Sequence, residues 1–170
     1  MSKMNPITFT ALHPEDISTL LPLAHRIWHA HYPGIITVEQ IDYMLACGYT
    51  REVIIDEIEN QDICWIIIRD GMTMIGFISV GPYGNGIMKL HKLYLLPEYH
   101  GTGIGSRALA EVERVAKQHN AATLVLNVNR HNQKAINAYL RAGWHVADEV
   151  IIDIGSGYVM NDYVMAKQLA

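Results

Sequence analysis

The stretch Leu93-Tyr94-Leu95-Leu96-Pro97-Glu98-Tyr99-His100-Gly101-Thr102-Gly103-Ile104-Gly105-Ser106 limits this chain more than any other. An apolar strand runs into a tight turn and then directly into a helix whose apolar side is Leu109, Val112, Val115 and Ala116. Three glycines in five residues weaken the start of a helix and bring no evident packing gain. What they permit is close approach. With no Cβ at 101, 103 and 105, backbone N–H groups can surround a ligand, and the positive end of the following helix faces the same place. Such a turn suits a phosphate or a diphosphate.

Two familiar phosphate loops do not fit these residues. A Walker loop ends Gly-Lys-Ser/Thr, whereas this one ends Gly105-Ser106-Arg107 and lacks the lysine. A dinucleotide-binding fold needs GxGxxG after its first strand. Counted from Gly101, the third glycine position holds Ser106, and residue 127, at the next strand, is Asn rather than an acid.

The rest of the chain supplies the frame. Residues 7–10 read as an opening strand. Pro14 starts a helix that places Ile17, Leu20, Leu21, Ala24, Ile27 and Trp28 on one side and runs out at 31–34. Thr37 is an N-cap with Gln40 as its capping-box partner, and a third helix is expected over 50–60. Strands follow at 62–69 and 72–80 about the turn Asp70-Gly71, then a loop at 81–86, then a strand at 87–96. Beyond the glycine turn come a helix to about 119, a strand at 123–128, and a helix at 133–141 closed by Gly143. Two strands, near 144–154 and 158–167, complete the chain. Hairpins flank one strand–helix–strand crossover. The order predicts a single α/β (α+β) domain over 1–170, with a mixed, mostly antiparallel sheet of six to seven strands and helices on both faces.

Composition narrows the function. Half of the residues are hydrophobic, enough for one sizeable core, and the formal charge of −4 argues against nucleic-acid binding through a basic face. Cys47 and Cys64 form no ligand pair, and Cys64, inside an apolar run, reads as a buried thiol. His25 and His29 lack a third ligand, so no metal site is expected. The start lacks the apolar stretch of a secretion signal and no apolar run reaches a membrane span. A cytoplasmic protein without membrane partners is the expectation.

The turn at His100-Gly101-Thr102-Gly103-Ile104-Gly105 resembles the diphosphate motif Q/R-x-x-G-x-G/A of the GNAT superfamily of acetyl-CoA-dependent N-acetyltransferases, with His100 where Gln or Arg is usual. Downstream, Asn132, Ala135, Tyr139, Gly143 and Trp144 are similar to that family's N-x-x-A-x-x-x-Y-x-x-x-G-F pattern, with Trp144 in the Phe place. The resemblance is specific from about 62 to 145. It implies acetyl-CoA as cosubstrate and a splayed cleft between the strands near 87–96 and 123–128. The backbone of Leu93, Tyr94 and Leu95 would pair with the pantetheine arm. His100, Gly101, Thr102, Gly103, Ile104, Gly105 and Ser106 would hold the diphosphate, and Asn132 would bond the cofactor.

The resemblance makes Tyr139 the general acid for the departing thiolate, against the alternative of a helix residue that only covers the core. A phenol near pKa ~10 and a thiol near ~8.5 differ by roughly 2 kcal/mol, so a shared proton suffices. For the base, some relatives carry glutamate where this chain has Asn127, which takes no proton. His91 is the candidate base or water-orienting residue, on a face read as shared with Lys89, Leu93 and Leu95; a strand histidine with a structural hydrogen bond is the alternative. Residues 28–37, with Trp28, Tyr32 and the Pro33-Gly34 break, would shape the acceptor site. Asp162 either attracts an acceptor ammonium or caps the last turn, the reading favoured from sequence. The implied reaction is acetylation of a primary amine, small-molecule rather than peptide, with a non-catalytic acyl-CoA sensor as rival. The final hairpin suggests a homodimer contact.

Overall fold

The computed structural model describes residues 5–170. Residues 1–4, most of the start read above for a secretion signal, lie outside the described residues. The elements are β1 (Ile7–Ala11), α1 (Ile17–His31), α2 (Val38–Gly48), α3 (Arg51–Asn60), β2 (Cys64–Asp70), β3 (Thr73–Gly84), β4 (Ile87–Leu95), α4 (Ile104–Gln118), β5 (Thr123–Asn129), α5 (Gln133–Arg141), β6 (His145–Gly155) and β7 (Tyr158–Gln168). The strands form one seven-stranded sheet in the order β1-β2-β3-β4-β5-β7-β6. Among the strands of the described residues only β4 and β5 run parallel, because α4 carries the chain back between them.

Local chemistry sets the helix ends. The hydroxyl of Thr37 accepts from the Gln40 N–H at 3.1 Å and that of Thr50 from the Val53 N–H at 3.2 Å. The second half of the expected capping box is not made. The buried Gln40 side chain instead donates to the Val159 carbonyl at 2.9 Å, tying α2 to β7. Gly143, at φ +90°, closes α5 as the Trp144 N–H returns to the Tyr139 carbonyl.

The loop read at 81–86 is a correction. β3 continues to Gly84, with Gly81 paired to Lys89 and Pro82 to Met88, so only the Asn85-Gly86 turn remains. Gly81 is in the strand because Ile63 packs against it; a Cβ there would lie 2.9 Å from Ile63. Cys64 is a second correction, since its thiol is only half-buried.

Two helical layers cover the centre of the sheet. On one face Trp28 of α1 packs on Tyr94, which packs on Phe77. On the other, the Arg107 guanidinium of α4 lies 5.7 Å from the Phe9 ring, and Phe9 pairs with Ile68, which alternates away from Phe77. β3 is accordingly buried at every residue from Met74 to Gly81. The outer strand β6 is largely open to solvent, with Val146, Ile151 and Ile152 exposed. Among the described residues no helix is long and apolar enough to cross a membrane.

Candidate active site

The sheet forks at its centre. β4 and β5 pair only from Ile87–Thr123 to Leu90–Leu126. Beyond that point β4 stays with β3 as far as Leu95, and β5 stays with β7 as far as Asn129. The β4 main chain around Leu93, Tyr94 and Leu95 therefore has a strand on one side and a gap on the other. Backbone polar groups want partners, so an extended ligand bearing amides would complete this sheet. The cleft expected between the two strands is present.

A bulge sits where the fork opens. Ser79 pairs with Lys92 but Val80 pairs with Leu90, which leaves His91 as the extra residue. This corrects the face assignment. Counted through β3, Leu90 shares a face with Leu93 and Leu95, whereas Lys89 shares the opposite one with Lys92 and Tyr94. That second face is the α1 face, since the Lys92 ammonium lies 5.4 Å from the Tyr49 ring and 5.2 Å from the Trp65 ring. His91 is open to solvent, yet partial desolvation and the cations Lys89 and Lys92 lower its pKa to about 4. Its imidazole is neutral at pH 7.

The glycine turn is open. Gly101 and Gly103 have φ of +74° and +84°, and a Cβ at 101, 103 or 105 would meet nothing within 4 Å. Among the described residues, none of the backbone N–H groups from Gly101 to Ser106 has a backbone acceptor. The side chains are turned to other work. Thr102 donates to the Tyr99 carbonyl, Ile104 is buried under the helix, and Ser106 is exposed. His100 Nδ1 lies 2.7 Å from the Lys134 ammonium, which has only protons to offer, so Nε2–H donates to the Leu95 carbonyl at 3.0 Å. The imidazole thus braces the turn against β4 and α5. An uncovered row of N–H donors at the start of α4 fits the diphosphate of coenzyme A.

Aromatic residues wall the α1 side of the fork. The hydroxyls of Tyr32 and Tyr94 are 2.8 Å apart, and Trp28 Nε1–H donates to Tyr49 at 3.2 Å. Tyr139, on α5, packs against Trp144 at 5.8 Å between ring centroids. It lies near enough to Tyr32 and Tyr94 for charge on one to disfavour charge on another, and burial raises its pKa well above the ordinary phenol value. Asn132 is the N-cap of α5. Its Oδ1 accepts from the Ala135 N–H at 3.3 Å, which leaves its amide N–H groups for a ligand. Beside the fork, a cleft of about 620 Å³ lies between the α1–α2 connection and the ends of β5 and β7, lined by Pro33, Ile36, Gln40, Asn129, His131 and Asn161.

These features meet in one known family. The model of the acetyltransferase (GNAT) family matches residues 24–144. The chain belongs to the GNAT family. It is an N-acetyltransferase, and acetyl-CoA is its cosubstrate. Among relatives, it is 32% identical over 158 residues to a spermidine N(1)-acetyltransferase of Thermoplasma acidophilum, covering 91% of this chain and 95% of that one. It is 37% identical over 154 residues to an uncharacterised N-acetyltransferase of Mycobacterium bovis, covering 91% and 98%. Among solved structures, the PaiA N-acetyltransferase of T. acidophilum in complex with coenzyme A superposes with a TM-score of 0.83 at 29% identity, over 96% of this chain and 99% of that one.

The sequence reading of this GNAT chain missed two things. The bulge at His91 has no local signal, because it arises from how β3 and β4 keep register past the fork. The role favoured for Asp162 is the other. This residue is no turn cap: the turn is at residues 155–158, while Asp162 sits inside β7, paired to Asn129 and Val150 and only 3% exposed. The expected strand at 158–167 already held that placement.

Proposed function

We propose that this GNAT enzyme acetylates a primary amine of a small, aliphatic, cationic acceptor by direct attack on the thioester of acetyl-CoA. The fork beside the open glycine turn carries the reading, because it offers main-chain partners to both the pantetheine and the diphosphate of one ligand. The backbone of Leu93, Tyr94 and Leu95 holds the arm, and the Leu95 N–H polarises the thioester carbonyl. Residues 100–106 hold the diphosphate, with Gly101, Gly103, Gly105 and their neighbours donating from the main chain and His100 bracing them. The free amide of Asn132 bonds the cofactor. Tyr139 donates its hydroxyl proton toward the departing sulfur. Its raised pKa makes full transfer uphill, so the proton is shared until solvent neutralises the thiolate. His91, neutral at pH 7, orients the water that takes the ammonium proton. The amine nitrogen gains the C–N bond, the C–S bond breaks, and one proton leaves to solvent.

Resemblance to an enzyme named for spermidine supports a polyamine-like acceptor. The exposed apolar outer edge at β6 supports a homodimer, which light scattering decides. Coenzyme release measured across a polyamine, an amino acid, an aminoglycoside and a peptide amine tests the acceptor class. Aliphatic polyamines are expected to turn over fastest. Binding of coenzyme A with no release above hydrolysis for any amine would replace this reading with an acyl-CoA sensor.

A further inference from the structure

Asp162 is a buried carboxylate without a counter-ion. Its Oδ1 has no hydrogen-bond partner. None of the ion pairs among the described residues includes it. Lys89, the cation whose charge it feels, lies instead over the Tyr83 ring at 5.0 Å. Asn127 hydrogen-bonds the carboxylate without neutralising it, and a buried carboxylate with no counter-ion is costly and, in a folded protein, calls for a partner from somewhere.

Register says where that partner would stand. Asp162 pairs with Asn129, two residues beyond Asn127, where β5 has just left β4. Lys89 pairs with Val125, so Lys89, Asn127, Asn129 and Asp162 share one sheet face, the face covered by α1. Asp162 is also near enough to Tyr32, just past α1, to disfavour its ionisation, and Asn129, on the same sheet face, lines the cleft described above. The carboxylate therefore faces the acceptor side. It is not at the reacting carbon, however. The thioester belongs in the gap between β4 and β5, and β7 is the strand beyond β5, which sets Asp162 two strand spacings, about 10 Å, away. A three- or four-carbon chain holds two nitrogens about 5–6 Å apart, and the attack contact at one end with the ion pair at the other, about 3 Å each, spans the remainder.

We propose that Asp162 binds the second, non-reacting ammonium of a diamine or polyamine acceptor, so that the distance from the fork to β7 measures the spacing between the two nitrogens. This rests on the amine acetyltransferase reading above. An acceptor with one nitrogen leaves the buried carboxylate unpaired, which is the strongest way a site rejects an analogue.

Steady-state rates with 1,3-diaminopropane and 1,4-diaminobutane against propylamine and butylamine test it. The wild-type enzyme is expected to favour the diamines about 100-fold in kcat/KM, mostly through KM. In Asp162→Asn, which keeps shape and removes charge, that ratio is expected to fall within about fivefold of unity, while calorimetric coenzyme A binding shows the variant folded. A wild-type ratio near one overturns the proposal whatever the variant does. So does a ratio kept in Asp162→Asn, or an equal fall in kcat for both amine types, which assigns Asp162 to proton transfer or to structure. Coenzyme binding with no turnover of any amine instead removes the enzyme reading, and this proposal with it.

Discussion

Tyr139 and Gly103 do opposite things with burial. The phenol is held among Tyr32, Tyr94 and Trp144, where a charged oxygen is disfavoured, so its proton stays until a strong acceptor arrives. Gly103 stands open at φ +84°, offering main chain and nothing else. Tyr139→Phe keeps the packing and removes the proton. It is expected to lower kcat at least tenfold, with the dissociation constant of coenzyme A changed less than twofold, as read by single-turnover kinetics and calorimetry. Unchanged turnover would remove the acid role. The glycines were legible in the sequence because left-handed backbone is a local demand that glycine answers. Asp162 was not, since its burial depends on β5, a strand far from it along the chain.

Whole elements set the shape of the fork. β3 comes so near β4 that a Cβ on Gly76 would collide with the Tyr94 carbonyl. Gly76→Ala must push the β4 edge toward the gap. Expected are a coenzyme A dissociation constant raised at least tenfold and a Tm lowered by about 5 °C, measured by calorimetry and thermal denaturation. A variant with unaltered affinity would show that the edge can yield without disturbing the cleft. Helices and strands were read from the sequence nearly to their ends where caps are local, as at Thr37 and Thr50. Turn chemistry misled at Gly81-Pro82, where packing by Ile63 and pairing to β4 outweigh local preference.

At the scale of the molecule, histidines couple the fold to pH. The His91 pKa falls to about 4 from an ordinary 6.5, and burial lowers that of His31, near His100 and Lys134. Below pH 6.5 the unfolded chain binds more protons at both sites, and at His91 it does so down to about pH 4. Their contribution to stability is thus complete above 6.5 and is lost as pH falls toward 4. Asp162 acts the other way: burial raises its pKa above 3.8, so acidification in this range favours the folded state at that residue. The difference between wild type and His91→Gln isolates one histidine. Urea midpoints are expected to fall more steeply from pH 7 to 5 in wild type than in the variant, and parallel profiles would show His91 titrating alike in both states.

Four ladder pairs, Ile87–Thr123 to Leu90–Leu126, are all that join the strands on either side of the fork. Past them, the floor beneath the acceptor would be made of pantetheine rather than protein. An amine arriving at the bare enzyme would then find walls but no bottom, whereas one arriving after the thioester meets a finished vessel. Such a scaffold would impose an order on its visitors, the donor seated before the acceptor finds its place.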